Sequence, residues 1–388
     1  MSSGGRPPVA VVGAGWAGCV AARALHDLGH PVHLFERSPR IGGHSRSETL
    51  HGVVFEPNGP HIFHTSDRRV AGLVLRYGMR RSFTHQVLAE VFLDDADEQP
   101  RLLSWPPQLP ELRELPVWPQ IERELAGLPA VPSRTDLAAY AESIMGATLY
   151  RLFVRDYTVK QWGRHPGELS SEFGPKRLDL RTDGDRRLFR DTWEFFPRSG
   201  VQRVIEAIAR PVPLTTGSEL RLPDLVELSR QFRAVVLTVA LDEFVGRPGE
   251  LAWRGIRTVS RYTPLADPHG TLTPGYQVNR PSLRRPYTRT VETKHATGQA
   301  VQATVVTEEY PGAPARHYPV PTVDGQGQRH NQLLQQEIRA ASPVPVWFCG
   351  RLASYRYLDQ DEAIGQGLAC AEQVAARLPE PDYRPPAR

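Results

Sequence analysis

Four consecutive apolar residues, Val9-Ala10-Val11-Val12, run straight into Gly13-Ala14-Gly15-Trp16-Ala17-Gly18. A short apolar run ending in glycine predicts a strand buried on both faces. After it, Ala17, Val20, Ala21, Ala24 and Leu25 recur at helical spacing, which predicts a helix over 16–28, stopped by Gly29. Val32-His33-Leu34-Phe35 then predicts a second strand ending at Glu36. Further along, Thr65 or Ser66 is placed to cap a helix over 67–77. Alternation at Val87, Ala89, Val91 and Leu93 predicts strand within 83–103. Amphipathic spacing predicts helices over 120–128, 135–145 and 149–162, between proline-rich punctuation. The polar, arginine-bearing stretch 168–188 reads as a mobile loop. Helices over 202–210 and 225–232 lead into a buried strand over 234–239. Several alternating segments between 257 and 310 predict an antiparallel sheet. A last strand over 346–351 precedes a closing helix over 361–378, and the tail 379–388 is expected to fray.

Strand, turn and helix repeated in this order predict an α/β chain of two or three domains for 388 residues. Apolar content of 40% and charged content of 23% suit a globular protein with a substantial core. Net charge is +4, but only Lys160, Lys176 and Lys294 among the 47 basic residues are lysine. The basic character is therefore carried by arginine, the side chain whose planar fork matches a phosphate. There is no dense basic run, so nucleic acid is not implied. Cys19, Cys349 and Cys370 lack metal or disulfide spacing, and Cys19 and Cys349 read as small buried fillers. No metal site is expected: His61 and His64 have no third ligand nearby. No run of 18 apolar residues predicts a membrane span, and the first eight residues lack the apolar core of a signal peptide. The expected setting is the cytoplasm.

Gly13, Gly15 and Gly18 have the spacing that seats a dinucleotide: a tight turn, a close approach for the pyrophosphate, and close helix packing. Glu36 falls where a ribose hydroxyl needs an acceptor. Arg37 and the pair Gly42-Gly43 follow, a sequel usual in flavin-binding chains, and this shifts the expected cofactor from NAD to FAD.

Several later segments are more specific. They are Gly59-Pro-His-Ile-Phe-His-Thr-Ser-Asp67, Tyr157-Thr-Val-Lys-Gln-Trp-Gly163, Pro286-Tyr-Thr-Arg289 with Lys294-His295, Thr307-Glu-Glu-Tyr-Pro311, His317-Tyr-Pro-Val320 and Gly350-Arg-Leu-Ala-Ser-Tyr-Arg-Tyr-Leu-Asp359. In this order, across nearly the whole chain, they resemble the UDP-galactopyranose mutase family of flavin-dependent nucleotide-sugar pyranose–furanose mutases. The resemblance implies a discontinuous Rossmann-like FAD-binding domain (1–78, 191–250 and 341–388). It also implies a largely helical insertion (79–190, with a mobile loop near 171–188) and an antiparallel sheet domain (251–340). It implies FAD active as reduced FADH⁻, whose N5 attacks the anomeric carbon and expels the nucleoside diphosphate. The ring of the resulting N5–sugar adduct then opens and recloses at the other size. An external reductant, a nucleoside-diphosphate sugar and a homodimer are implied as partners.

The same resemblance assigns roles. His61, Arg177, Arg289, Tyr357 and Asp359 are the catalytic candidates. Cofactor contacts are expected from Gly13, Gly15, Trp16, Ala17 and Gly18, then from Glu36, Arg37, Gly43 and His44. His61, Ile62, Gly350, Arg351 and Asp359 complete that set. Substrate contacts are expected from Tyr157, Trp162, Arg177 and Arg254, and from Arg289, Tyr318 and Tyr357. The chemistry suits them: charge grows on a departing diphosphate, and arginines stabilise it more as it leaves than before. The chain departs from the family pattern at Leu188, where a diphosphate-binding tyrosine is usual, at His85 in place of an asparagine, at His44 and over 193–197. Arg186 and Arg187 stand near enough in sequence to replace the lost tyrosine. These departures point to a substrate other than UDP-galactose. A flavin oxidoreductase of the amine-oxidase type and a non-catalytic sugar-nucleotide-binding relative are the alternatives.

Overall fold

The computed structural model describes residues 6–378, so the predicted fraying of 379–388 lies outside the described residues. Val9–Val12 is the centre of a five-stranded sheet in the order Leu214–Thr216, Val32–Glu36, Val9–Val12, Ala234–Leu237, Val346–Phe348. Every pairing in it is parallel. All residues of Val9–Val12 and Ala234–Leu237 are buried, as strands covered on both faces must be. Their alternation divides the core. Val9 and Val11 face the helices Trp16–Asp27 and Gln360–Arg377, while Ala10 and Val12 pack with Phe232, Leu241 and Ile338. Two glycines set how close those helices come. A Cβ at Gly18 would lie 1.8 Å from the Gly13 carbonyl oxygen, and one at Gly367 would lie 2.6 Å from that of Ala17.

The second sheet has six strands, in the order Trp253–Pro264, Ala303–Pro319, Arg289–Val291, Gln277–Asn279, Val87–Val91, Arg101–Trp105. It is mostly antiparallel, as predicted, but Gln277–Asn279 pairs in parallel with Val87–Val91. The stretch 79–190 thus supplies two strands to this sheet before its helices begin. Those helices, Trp118–Ala126, Leu137–Leu149 and Asp156–Trp162, bury Ile121, Leu137, Met145, Leu149 and Trp162 in one core with Ala89, Val91 and Leu103 of the sheet. A wider π turn, Tyr150–Arg155, joins the second of these helices to the third.

Three local expectations need correction. The helix Arg68–Tyr77 is capped by neither Thr65 nor Ser66. Thr65 ends the strand Phe63–Thr65, and the Asp67 carboxylate takes the amide protons of Arg69 and Val70. An ionised carboxylate is the stronger acceptor at a helix start. The stretch 168–188 is not continuous loop: Pro166–Glu168 and Ser171–Phe173 are single 3-10 turns and Gly174–Arg177 is one α turn. The closing helix starts at Gln360, because Asp359 and Glu362 form a reciprocal capping box. Among the described residues no helix is long and apolar enough to cross a membrane.

Candidate functional site

Three adjoining cavities make one trough between the two sheets. The first and second share His44, Thr238 and Leu352 as walls, and the first and third share Arg177, Leu188, Arg289 and Tyr357. The trough therefore runs from Glu36 at one end, past His61, to Trp162 at the other.

The Glu36 end is built from backbone. Gly13 has φ of +101°, and Gly15 has open space where a Cβ would point, so nothing obstructs the approach to the first turn of Trp16–Asp27. That turn presents unpaired amide protons and the positive end of the helix dipole. The Glu36 carboxylate accepts from the amides of Ala14 and Ser38, both at 2.8 Å, and so ties the second strand to the glycine turn. Each oxygen keeps a further lone pair free for a hydroxyl. Gly13, Gly15, Glu36, Arg37, Gly43 and His44 all line this end, and Arg37 also pairs with Glu243 at 2.9 Å. Gly18 does not line it; it serves helix packing. An acidic residue, an open glycine and a free helix start fit the adenosine and diphosphate of a dinucleotide cofactor.

In the middle lie Trp16, Ala17, His61, Ile62, Gly350 and Arg351. Trp16 Nε1 donates to Gln360 Oε1 at 2.9 Å, pinning the ring across the trough. The Gly350 amide donates to Gln366 Oε1 at 2.8 Å, and its φ of +84° lets the chain turn there beside Ala17. His44 stacks on His317 at 4.3 Å, and burial holds both imidazoles well below their ordinary range. Beneath His61 lies a pair the sequence reading missed. Glu56 is wholly buried, and its Oε2 accepts from the His61 amide and the Tyr276 hydroxyl, both at 2.9 Å. Burial raises the Glu56 carboxyl to about 8, despite those two donors. His61 Nδ1 stands 3.7 Å from Glu56 Oε1, too far for a hydrogen bond, and neither atom has a partner. Burial first, then Arg351 and Arg289, lower the His61 imidazole to about 3. Both groups are uncharged at neutral pH.

The far end is built from side chains. Tyr157, Trp162, Arg177, Arg289, Tyr318 and Tyr357 line it together. Tyr318 and Tyr357 stack at 5.3 Å with Trp162 packed against both. Arg289 faces Glu309 directly across two antiparallel strands and bonds it at 2.7 Å. Burial alone would weaken the Arg289 charge, but Glu309 outweighs it and holds the guanidinium firmly protonated. Arg177 pairs with Asp359 and lies 5.1 Å over the Tyr357 ring. Burial pushes the Asp359 carboxyl up, Arg177 pulls it down, and the net shift is down. Lys176 pairs with Glu362 one turn further along. Both cations of the Gly174–Arg177 turn thus rest on the start of the closing helix.

Some expected residues lie elsewhere. Arg254 does not line the trough; it bonds the carbonyls of Gln161 and Lys160, both at 2.8 Å, and so closes the end of the helix that carries Tyr157 and Trp162. Arg186 and Arg187 do not replace the missing tyrosine, because they pair with Glu111 at 2.7 Å and Asp185 at 2.8 Å. Nearby carboxylates hold both away from the cavity. Leu188 does line it, beside Phe189 and His85. Tyr276 was legible only as a strand position, and Glu309 only as part of the segment 307–311, without a role; a buried acid opposite an arginine in register is the signal that marks it.

The model of the family described as UDP-galactopyranose mutase matches residues 152–357, just over half of the chain. A model of an NAD(P)-binding Rossmann-like domain matches residues 11–77. The chain is 28% identical over 388 residues to a probable UDP-galactopyranose mutase of Klebsiella pneumoniae, covering 97% of both chains. It is 26% identical to the dTDP-fucopyranose mutase of Escherichia coli, covering 94% of this chain and 97% of that one. The crystal structure of a reduced UDP-galactopyranose mutase has the same fold, with a TM-score of 0.74, 17% identity and 97% of each chain covered. The chain belongs to the UDP-galactopyranose mutase family.

Proposed function

We propose that this protein is an FAD-dependent mutase that interconverts the pyranose and furanose forms of a nucleoside-diphosphate hexose. One observation carries the reading: the glycine cradle and the paired arginines open into the same trough. In its reduced form FAD supplies a nucleophilic ring nitrogen and needs an external reductant to load it. The protein's own residues do the rest. Gly13, Gly15 and the start of the first helix hold the cofactor diphosphate, and Glu36 holds its ribose. Tyr157 and Trp162 bound the nucleoside end. Arg177 and Arg289 meet the substrate diphosphate, already desolvated and oriented by Asp359 and Glu309, so little reorganisation is needed as the leaving oxygen gains charge. Tyr318 and Tyr357 give the same oxygens hydroxyl donors without further charge. His61, held neutral, offers one donor and one acceptor nitrogen in the middle of the trough.

The departures at Leu188 and His85 support a substrate other than UDP-galactose. The test is to incubate dithionite-reduced holoenzyme with UDP-, dTDP- and GDP-hexoses and separate pyranose from furanose products. Ring interconversion with at least one is expected. Failure with all of them, with reduced FAD bound, overturns the proposal.

A further inference from the structure

His85 is 2% exposed, and both its ring nitrogens lack a hydrogen-bond partner. Leaving two buried polar atoms unpaired is costly, and proteins seldom do it without a ligand or a strain role. The ring lines the trough alongside His61, Arg177, Arg289, Leu188 and Phe189. It is held still: Tyr276 meets it edge-on at 5.2 Å, and Phe189 leans on it at 5.9 Å. Its backbone is held too. The His85 amide donates to Glu194 Oε1 at 2.9 Å, and its carbonyl accepts from the Leu188 amide at 2.8 Å. The two departures from the family pattern, 85 and 188, are thus directly bonded neighbours. Two other imidazoles of the wall are engaged. His64 Nδ1 sits 2.8 Å from Asp191, and His317 Nδ1 takes the Ile256 amide proton at 3.0 Å. Gln277 lies close enough to make the His85 ring slightly more basic, yet no bond of acceptable geometry joins them. Gln277 Oε1 is itself buried and unpartnered.

We infer that His85 is a specificity residue that reads a hydroxyl of the substrate's sugar, with Gln277 beside it as a second polar contact. A neutral imidazole offers one donor and one acceptor, which matches a hydroxyl; a phosphate accepts only and would leave one ring nitrogen unused. Burial first, then His64 and Arg289, lower the ring to about 3, so it stays neutral at physiological pH. The inference rests on the mutase reading, because it needs a sugar in the trough beyond the diphosphate.

Equilibrium dialysis of the holoenzyme tests it, with UDP, UDP-galactopyranose, dTDP and dTDP-fucopyranose as probes. His85→Phe keeps the ring's size and removes both polar atoms. It is expected to bind UDP and dTDP as the wild type does, which also reports that it folds. It is expected to bind the preferred sugar nucleotide about tenfold more weakly, the scale of one buried hydrogen bond. His85→Asn is expected to recover part of that loss. Equal weakening for nucleotide and sugar nucleotide, or no weakening for either, overturns the role of His85 and leaves the mutase reading standing. A wild type that binds none of the four probes overturns the role of His85 and leaves the mutase reading to the turnover test.

Discussion

On the proposed reading, the two ends of the trough solve the same problem, holding a diphosphate, in different ways. At the Glu36 end the chain uses backbone: one turn, one helix start and an unobstructed glycine, all within residues 13–18. At the Trp162 end it uses side chains. Arg177 comes from a single helical turn, Arg289 and Tyr318 from two strands of the second sheet, and Tyr357 from the approach to the closing helix. Each arginine there is matched by a buried or half-buried carboxylate, Asp359 or Glu309. A resident cofactor suits a rigid backbone cradle. A diphosphate that must leave and return suits charges whose desolvation was settled at folding.

Three experiments bear on that contrast. The largest effect is expected at Arg289. Arg289→Ala removes a donor to the leaving oxygens and should lower kcat/KM by about 10²–10³. It also strands the buried Glu309 carboxylate, at a stability cost of about 3–5 kcal/mol. Adding Glu309→Gln should restore the denaturation midpoint but not the turnover. Turnover that recovers with stability would break the distinction between holding the fold and holding the substrate. The second effect is at the backbone end. Gly15 has φ of −81° and space for a methyl, so Gly15→Ala should change stability by less than about 0.5 kcal/mol. Its Cβ enters the cradle, and overpacking there should weaken FAD binding by about ten- to a hundredfold. Flavin absorbance after dialysis reads this directly; full retention would mean the cofactor does not approach that glycine.

The smallest effect sharpens the junction between the ends. Glu56 has its carboxyl raised to about 8 by burial. As pH rises from 4.5 to 8 the unfolded chain loses that proton and the folded chain keeps it, so stability falls across the window. The buried imidazoles act the other way. His61 and His85, at about 3, and His317, at about 4, stay neutral when folded, so acid below 6.5 favours the unfolded chain. Their contributions end near 6.5. A melting temperature that drops by a few degrees from pH 6.5 to 8 is therefore expected, and Glu56→Gln should flatten it. An unchanged slope in that variant would show that Glu56 ionises normally.

How much of this was legible follows the same divide. The cradle lies in one continuous stretch, and its glycines, helix and Glu36 were placed from spacing alone. The central strands of the parallel sheet were legible because they are apolar on both faces; the edge strand Leu214–Thr216, exposed throughout, was not. The far end was legible only through resemblance, since its residues are scattered from 157 to 357 and no local period brings them together. Arg254 illustrates the limit: an arginine near a tyrosine-rich strand has the same local appearance whether it meets a ligand or closes a helix, and here it closes a helix. Arg186 and Arg187 failed for a related reason, because Glu111 and Asp185 hold them elsewhere. Glu56 was invisible because its raised carboxyl comes from a burial that sequence does not display, and its hydroxyl partner, Tyr276, lies 220 residues away.

The resting contact between Arg177 and Asp359 makes the far end behave like an ion exchanger. On the proposed reading, an incoming pyrophosphate finds a half-buried guanidinium already paired with one carboxylate, so binding swaps counter-ions more than it dries a cation. A neutral sugar has nothing to offer in that swap, and a singly charged anion only matches what it displaces. The trough is therefore tuned to multivalent visitors before any sugar is recognised.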